Sequence, residues 1–185
     1  MRRAVTPDPA DLSHLVLTHF HGDHAGSAAE VAGWGDVQVV AHYAEAPFLR
    51  GESPGPPPRL ADWERPIFDQ VTAGLPAAPV PPVRVDREAG DGDDLGFGAV
   101  LVAAPGHTPG SAAVYLPGPR VLIAGDTIAC RPDGQPMPGV FNADPGRAAA
   151  SYRRLAALDS EIACFGHGEP ITHDAAARLR AAAPG

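Results

Sequence analysis

The chain has 185 residues, enough for one domain with a sizeable core, and it contains no apolar run long enough to cross a membrane. Its formal net charge of −8 argues against a general nucleic-acid-binding protein, because such proteins normally present a basic face. Cys130 and Cys164 are too few for a disulfide framework. We therefore expect a single domain over residues 1–185, with neither nucleic-acid nor membrane partners.

The first predicted strand runs directly into a cluster of histidines. The apolar run Leu15–Leu17 precedes a turn that contains glycine, which is typical of a buried strand. If the extended backbone continues, His19, His21 and Asp23 share one face, because side chains two positions apart point the same way. His24 breaks this alternation and suits the first turn of a helix. Imidazole and carboxylate groups bind zinc and related metals, so a metal site is predicted; a polar turn with Asp23 as helix N-cap is the alternative.

The residues after this cluster predict one helix and one strand. Ala25–Ala32 has a helical composition, and Val37–Ala41 is apolar enough for a buried strand. Three further histidines, His14, His42 and His173, belong to no ligand pattern. We expect packing or surface roles for them.

The segment from Pro47 to Pro82 is rich in proline and glycine, which disfavours long regular elements. A loop of this length inside a compact domain is usually a lid or a binding loop. Its apolar side chains either line a substrate pocket or hold the loop against the body of the domain. These side chains are Phe48, Trp63, Ile67 and Phe68.

In the second half of the chain, predicted strands end close to polar residues. Three strands each lead to one such residue: Gly98–Ala103 to His107, Arg120–Ala124 to Asp126, and Ile162–Phe165 to His167. Adjacent glycines allow sharp backbone turns, so these side chains can project from the strand ends. Taken alone, an aspartate after a glycine is common in plain turns.

Other elements complete an alternation of strands and helices. A sheet segment is predicted to begin at residues 83–85, and Ala112–Leu116 is a further strand. Asp144-Pro145 predicts a helix start, with an N-cap followed by proline at the first position. Thr172 is predicted to cap a final helix that runs through Arg180. This order fits an α/β sandwich whose polar residues lie on loops at one edge of the sheets.

The histidine cluster His19-Phe20-His21-Gly22-Asp23-His24 resembles the His-x-His-x-Asp-His signature of the metallo-β-lactamase fold superfamily, whose members are mostly dinuclear metal hydrolases. Three later motifs resemble the further metal-ligand motifs of that family, in its order: Pro105–Ser111, Ile123–Thr127 and Phe165–Pro170. The resemblance covers nearly the whole chain and implies the αββα sandwich of that family. Its members normally carry several strands before the histidine signature, which here begins at His19. We therefore expect an N-terminally truncated form of the fold.

The resemblance also implies a ligand set. By position, one metal ion is held by His19, His21 and His107, a second by Asp23, His24 and His167, and Asp126 bridges both. Two divalent ions are expected, zinc first, with iron or manganese as alternatives. Asp23 and Asp126 are expected to be catalytic as well as ligating. Thr18, Thr108 and Ser111 are predicted either to hold ligands in place by hydrogen bonds or to form turns.

The implied activity is hydrolysis of an ester, thioester or lactone by a hydroxide that bridges the two metals. The best-known zinc β-lactamases of the family carry cysteine where this chain has Asp126, which argues against penicillin hydrolysis. Glyoxalase-II-like thioesterases share the ligand set but carry a C-terminal glutathione-binding region, which we expect to be absent here. We expect a cytoplasmic enzyme with a small acyl substrate, and a dimer is left open.

Two alternatives stay open at this point. Relatives similar to persulfide dioxygenases place a single iron on the same three histidines, which implies an oxidoreductase instead of a hydrolase. A chain that lacks the N-terminal strands of its family is alternatively an inactive remnant that binds metal weakly.

Overall fold

The computed structural model describes residues 8–74 and 80–185. The first seven residues and the part of the proline-rich segment at 75–79, with Pro76 and Pro79, lie outside the described residues.

The first half of the chain forms a parallel sheet with short helices. The strands, in the spatial order β1-β2-β3, are β1 (His14–Leu17), β2 (Gln38–His42) and β3 (Arg87–Ala89). The helices are α1 (Gly22–Ala25), α2 (Ala28–Val31), α3 (Ala46–Leu49) and α4 (Arg65–Thr72). A 3-10 turn at Pro9–Asp11 precedes β1.

The second half forms a mixed sheet, a separate hairpin and two helices. Its strands are β4 (Val100–Ala103), β5 (Ala112–Leu116), β6 (Val121–Ile123), β7 (Ile128–Cys130), β8 (Pro136–Pro138) and β9 (Ile162–Cys164). The mixed sheet has the order β4-β5-β6-β9, and β7 pairs with β8 in the hairpin. The helices are α5 (Pro145–Ala156) and α6 (Ala175–Ala181), and a 3-10 turn at Gly125–Thr127 follows β6.

Alternating side chains of the strands build three apolar layers. Val39 of β2 packs with α1, α2 and α3, whereas its neighbour Val40 joins Leu101 of β4 in a cluster between the two sheets. Val102, the next residue of β4, faces the opposite way and packs with Leu155 of α5. Successive residues of a strand point to opposite faces, so each sheet is covered on both sides. The predicted αββα sandwich is confirmed.

The carboxyl ends of four strands meet at one edge of this sandwich. Both β4 and β6 run antiparallel to β5, and β9 runs parallel to β6, so three strands of the second sheet end together. The backbone N–H of Ala112 donates to the carbonyl of Thr18 at 2.9 Å, which joins the start of β5 to the loop after β1. Loops from both sheets therefore converge at this edge.

Several element boundaries differ from the sequence prediction. The helix expected over residues 25–32 is two short helices, and α1 begins earlier, at Gly22. Residues 83–85 are not a strand; β3 begins at Arg87, once Asp86 has donated its N–H to Val39. The final helix begins after Asp174, at φ 52°, and not at Thr172. The β7–β8 hairpin was not expected, because Pro136 and Pro138 disfavour a strand.

The proline-rich segment is more regular than predicted. Helix α4 has eight residues, and Pro66 lies in its first turn, where a missing N–H group leaves no hydrogen bond unmade. No helix in the described ranges is long and apolar enough to span a membrane.

Candidate metal centre

Seven polar side chains lie on the loops at the converging edge. They fall into two groups: the His group is His19, His21 and His107, and the Asp–His group is Asp23, His24, Asp126 and His167. Within each group, the candidate ligand atoms all lie within 4.8 Å of one another. All seven residues singled out from the sequence therefore lie together.

The His group is closely spaced and mostly buried. The Nε2 atom of His107 lies 3.0 Å from the Nδ1 atom of His21. His19 is 1% exposed and His107 is 4% exposed. The Nδ1 atom of His107 lies 3.1 Å from the carbonyl oxygen of Val140, which can only accept, so Nδ1 carries the proton. The Nε2 lone pair of His107 is then available to a metal ion.

The Asp–His group is more open to solvent. The Nε2 atom of His167 lies 3.1 Å from Oδ2 of Asp23, and these side chains are 58% and 54% exposed. The Nε2 atom of His24 lies 3.2 Å from Oδ1 of Asp126, and both of these side chains are largely buried. Asp23 and His24 come from the same short helix, α1. The group therefore presents one exposed side and one buried side.

Asp126 lies between the two groups. Its Oδ2 atom is 3.4 Å from Nε2 of His167 in the Asp–His group. The same oxygen is 3.6 Å from Nε2 of His107 and 4.0 Å from Nε2 of His19, both in the His group. This carboxylate is therefore within reach of ligand atoms on both sides.

Unpaired polar atoms at this edge provide a test of whether metal ions fit. In residues 8–74 and 80–185, three buried atoms of the two groups make no hydrogen bond: Nε2 of His19, Nε2 of His24 and Oδ1 of Asp126. Burying such atoms without a partner is unfavourable by about 1–3 kcal/mol each. A divalent cation would pair with all three. Imidazole and carboxylate donors suit zinc, iron and manganese, so the residues present fit such ions.

Burial keeps the His group neutral. It lowers the pKa of His19 to about 2 and that of His21 to about 4, and the neighbouring His107 lowers both further. Burial also lowers the pKa of His107. Neutral imidazoles are the form in which histidine binds metals, so no proton has to be displaced from this group near neutral pH.

The two buried members of the Asp–His group shift each other in the opposite sense. Burial alone would lower the pKa of His24, but the nearby carboxylates of Asp126 and Asp23 outweigh it and raise the pKa. Burial alone would raise the pKa of Asp126, but His24, His19 and His107 hold it below its ordinary value. In the absence of metal this group therefore holds a proton on His24.

The other predicted polar residues have different partners. The hydroxyl of Thr18 lies 3.1 Å from Nδ1 of His19, so it contacts a candidate ligand directly. Thr108 and Ser111 instead bond to each other and, through Thr108, to Glu45. These two hydroxyls do not contact the histidines by any hydrogen bond among the described residues.

The remaining histidines lie outside both groups. His42 is buried, and its Nδ1 atom accepts a hydrogen bond from the N–H of Ala44. His173 is exposed and follows the last strand, and His14 packs against Phe97 with ring centroids 5.2 Å apart. Their packing and surface positions agree with the sequence prediction.

Sequence reasoning missed two contributors to this site. Glu45 is fully buried beneath the loops, but a single acidic residue after a strand has no pattern that marks it. The carbonyl of Val140 orients His107, and a backbone group leaves no trace in the residue type.

Comparison with known proteins is consistent with this geometry. The family model of the metallo-beta-lactamase superfamily matches residues 3–167. Among curated proteins, the probable metallo-hydrolase YflN of Bacillus subtilis (strain 168) is 30% identical over 179 residues, which cover 87% of this chain and 66% of that protein. A hydroxyacylglutathione hydrolase of Fuscovulum blasticum is 28% identical over 160 residues, which cover 84% of this chain and 48% of that protein. The chain thus spans about half to two thirds of these relatives.

Solved structures with the same fold include two from this family. TTHA1623 in a di-iron-bound form has a TM-score of 0.63 and 31% identity, and covers 89% of this chain and 74% of its own. The metallo-beta-lactamase family protein TTHA1429 from Thermus thermophilus has a TM-score of 0.63 and 25% identity, with 94% of this chain and 60% of its own covered.

Proposed function

Because the chain belongs to the metallo-beta-lactamase superfamily, we propose that it is a dinuclear metal-dependent hydrolase that cleaves an ester, thioester or lactone. The observation that carries the proposal is the position of Asp126, whose carboxylate lies within 4.0 Å of His19, His107 and His167. One carboxylate shared by two groups of ligand atoms is the arrangement that a pair of metal ions requires. The probable metallo-hydrolase and hydroxyacylglutathione hydrolase relatives support the class of reaction.

In this proposal, His19, His21 and His107 hold one ion, Asp23, His24 and His167 hold the other, and Asp126 contacts both. Zinc is proposed first, and the di-iron form of TTHA1623 supports iron as the alternative. When bound, two such ions supply a Lewis acid for the acyl oxygen and lower the pKa of a water molecule to about 7.

The chain's own residues orient and expose this centre. The Val140 carbonyl keeps the proton of His107 on Nδ1, so its Nε2 atom faces the other ligands. Burial of the His group excludes water from one side, whereas the exposed Asp23 and His167 leave the other side open to an acyl substrate. The carboxylates of Asp23 and Asp126 are the groups at which a proton from the attacking water can be accepted.

Metal analysis together with a panel of activated acyl substrates tests the proposal. We expect about two zinc, iron or manganese ions per purified chain. His107→Ala and Asp126→Ala should each lose turnover of the ester, thioester or lactone that the parent cleaves. His173→Ala is the matched control, because His173 is exposed and outside both groups, and it should keep metal and activity.

Three results would contradict the hydrolase proposal. The first is hydrolysis by His107→Ala or Asp126→Ala as fast as by the parent. The second is a single iron per chain with oxygen uptake in the presence of a persulfide, which would indicate an oxidoreductase. The third is a folded chain that binds no divalent ion, which would indicate an inactive protein.

A further inference from the structure

Glu45 is a buried carboxylate that the proposed chemistry does not use. It follows β2 and precedes α3, and its side chain is fully buried. Among the described residues it has no cationic partner; its oxygens instead accept three hydrogen bonds. Their donors are the backbone N–H of Phe20, the backbone N–H of Gly110 and the hydroxyl of Thr108, each at 2.9 Å.

These three donors belong to the two loops that carry the His group. Phe20 lies between His19 and His21, so its N–H reports directly on the backbone that presents both imidazoles. Thr108 and Gly110 follow His107 on the other loop. A single carboxylate therefore joins two loops whose ligands come from opposite sheets of the sandwich.

Gly110 permits this close approach. A Cβ atom at position 110 would lie 2.5 Å from the backbone nitrogen of Glu45 and 2.7 Å from its Oε2 atom. Either contact would push the loop after His107 away from Glu45. The absence of a side chain is thus a requirement of the hydrogen bond between Gly110 and Glu45.

The hydroxyl groups of Thr108 and Ser111 form a directed chain toward Glu45. The hydroxyl of Ser111 accepts from the N–H of Thr108 at 2.9 Å and lies 2.6 Å from the Thr108 hydroxyl. Because the Thr108 hydroxyl donates its proton to Glu45, the Ser111 hydroxyl must be the donor between the two. This chain fixes the turn immediately after His107.

An ionised carboxylate is the group that these donors require. Its two oxygens offer only acceptor sites, so all three donors are satisfied. Glutamine would turn one oxygen into an N–H group and set it against at least one of the N–H or O–H donors. Burial raises the pKa of Glu45 to about 7, although the hydrogen bonds from Thr108, Phe20 and Gly110 oppose that shift.

We propose that Glu45 is a positioning residue that holds the loop of His19 and His21 and the loop of His107 at the spacing at which the His group binds its metal ion. The inference rests on the proposed function, because it assigns Glu45 to the same metal centre. Groups that orient metal ligands typically change metal affinity about 10- to 100-fold when they are removed.

Metal binding by matched variants tests this inference. Zn²⁺ affinity is measured by competition with a chelator, and the absorption spectrum of the Co²⁺ form reports on the geometry of the ligands. Glu45→Gln should bind one equivalent of Zn²⁺ about 10- to 100-fold more weakly and alter the Co²⁺ spectrum. Asp86→Asn is the control: Asp86 also accepts a backbone hydrogen bond, from Val39 at 2.8 Å, but on the sheet and away from both groups. It should match the parent in both measurements.

A second pair of variants covers the case in which Glu45→Gln does not fold. Thr108→Val removes one donor to Glu45 and should weaken the same equivalent of Zn²⁺, whereas Thr108→Ser keeps the hydroxyl and should restore it. Parent-like metal binding in both Glu45→Gln and Thr108→Val would overturn the inference. So would an equal loss in Asp86→Asn, because any lost carboxylate bond would then suffice. A parent chain that binds no Zn²⁺ would instead overturn the proposed function, and this inference with it.

Discussion

The Nε2 atom of His107 lies 3.0 Å from the Nδ1 atom of His21, although 86 positions separate them in the chain. The proton of His107 is held on Nδ1 by the carbonyl of Val140, so its Nε2 atom can only accept. In the metal-free chain the proton between the two rings therefore belongs to Nδ1 of His21. The same Nδ1 atom points at the other ligands of the His group, where a metal ion would need its lone pair.

Metal binding should therefore change the tautomer of His21. We expect the proton on Nδ1 in the metal-free chain and on Nε2 after Zn²⁺ is added, because a bound ion replaces the hydrogen bond to His107. Long-range ¹H–¹⁵N spectra of the two rings measure this directly. His42, which accepts from Ala44 through Nδ1, is the internal control and should not change. An Nδ1 signal of His21 that is the same with and without Zn²⁺ would contradict the prediction.

Gly166 should be necessary for the Asp–His group. A Cβ atom at this position would collide with Oδ1 of Asp126 and lie 2.6 Å from Cε1 of His24. Because both contacts are with buried side chains of the group, Gly166→Ala should lose one of two metal equivalents and most hydrolytic activity. Metal analysis and turnover of the parent's substrate check this.

The matched control for this change is Gly118→Ala, because a Cβ atom there would meet nothing within 4 Å. It should keep the metal content and turnover of the parent. Full metal content in Gly166→Ala would show that the group tolerates a displacement of Asp126 and His24.

The metal-free chain should lose stability in mild acid. The pKa of His21 is about 4 in the folded chain, against an ordinary value of 6.5, so the unfolded chain binds a proton more readily between these values. The contribution of His21 to the free energy of unfolding is therefore fully present above pH 6.5 and is lost as the pH falls toward 4. His19, with a pKa of about 2, acts in the same direction.

Denaturant titrations at pH 7 and pH 5 measure this effect. The free energy of unfolding of the parent should fall more between these pH values than that of His21→Gln, which has no imidazole to protonate. His173→Gln, at an exposed position, should behave as the parent does. Equal losses in the parent and His21→Gln would show that His21 does not contribute to the acid sensitivity.

Glu64 should anchor the proline-rich segment to the site. It is 6% exposed, and its carboxylate accepts from the N–H of Phe141 at 2.9 Å and from the N–H of Ala61 at 2.8 Å. Phe68, on the next turn of α4, also packs against Phe141, with ring centroids 5.2 Å apart. Phe141 follows Val140, the residue whose carbonyl orients His107.

Glu64→Gln should therefore loosen α4 and the Phe141 loop together. We expect a loss of about 1.5–3 kcal/mol in the free energy of unfolding, as for hydrogen bonds to charged groups, and faster amide hydrogen exchange in Arg65–Thr72. Glu30→Gln, at an exposed position on α2, is the control and should change neither. Unchanged exchange in α4 would mean that Phe68 alone holds the segment.

Local patterns in the sequence were sufficient for the fold class and for the residues at the strand ends. Asp144 caps α5 as predicted, accepting from the N–H of Arg147 at 3.0 Å, because an N-cap depends only on neighbouring residues. The start of the last helix was wrong, because Asp174 adopts a left-handed conformation that its residue type only permits. The ligand roles of the seven residues stay a prediction, although all seven lie together.

The sequence by itself determined which side chains could bind metal, because histidine and aspartate in a short, regular spacing have few other uses. Only the tertiary structure decided how those side chains are arranged: which group is buried, which is exposed, and that Asp126 lies between them. Glu45 and the carbonyl of Val140 belong to the same category. Their effects depend on contacts between residues far apart in the chain, and such contacts exist only after both sheets have packed together.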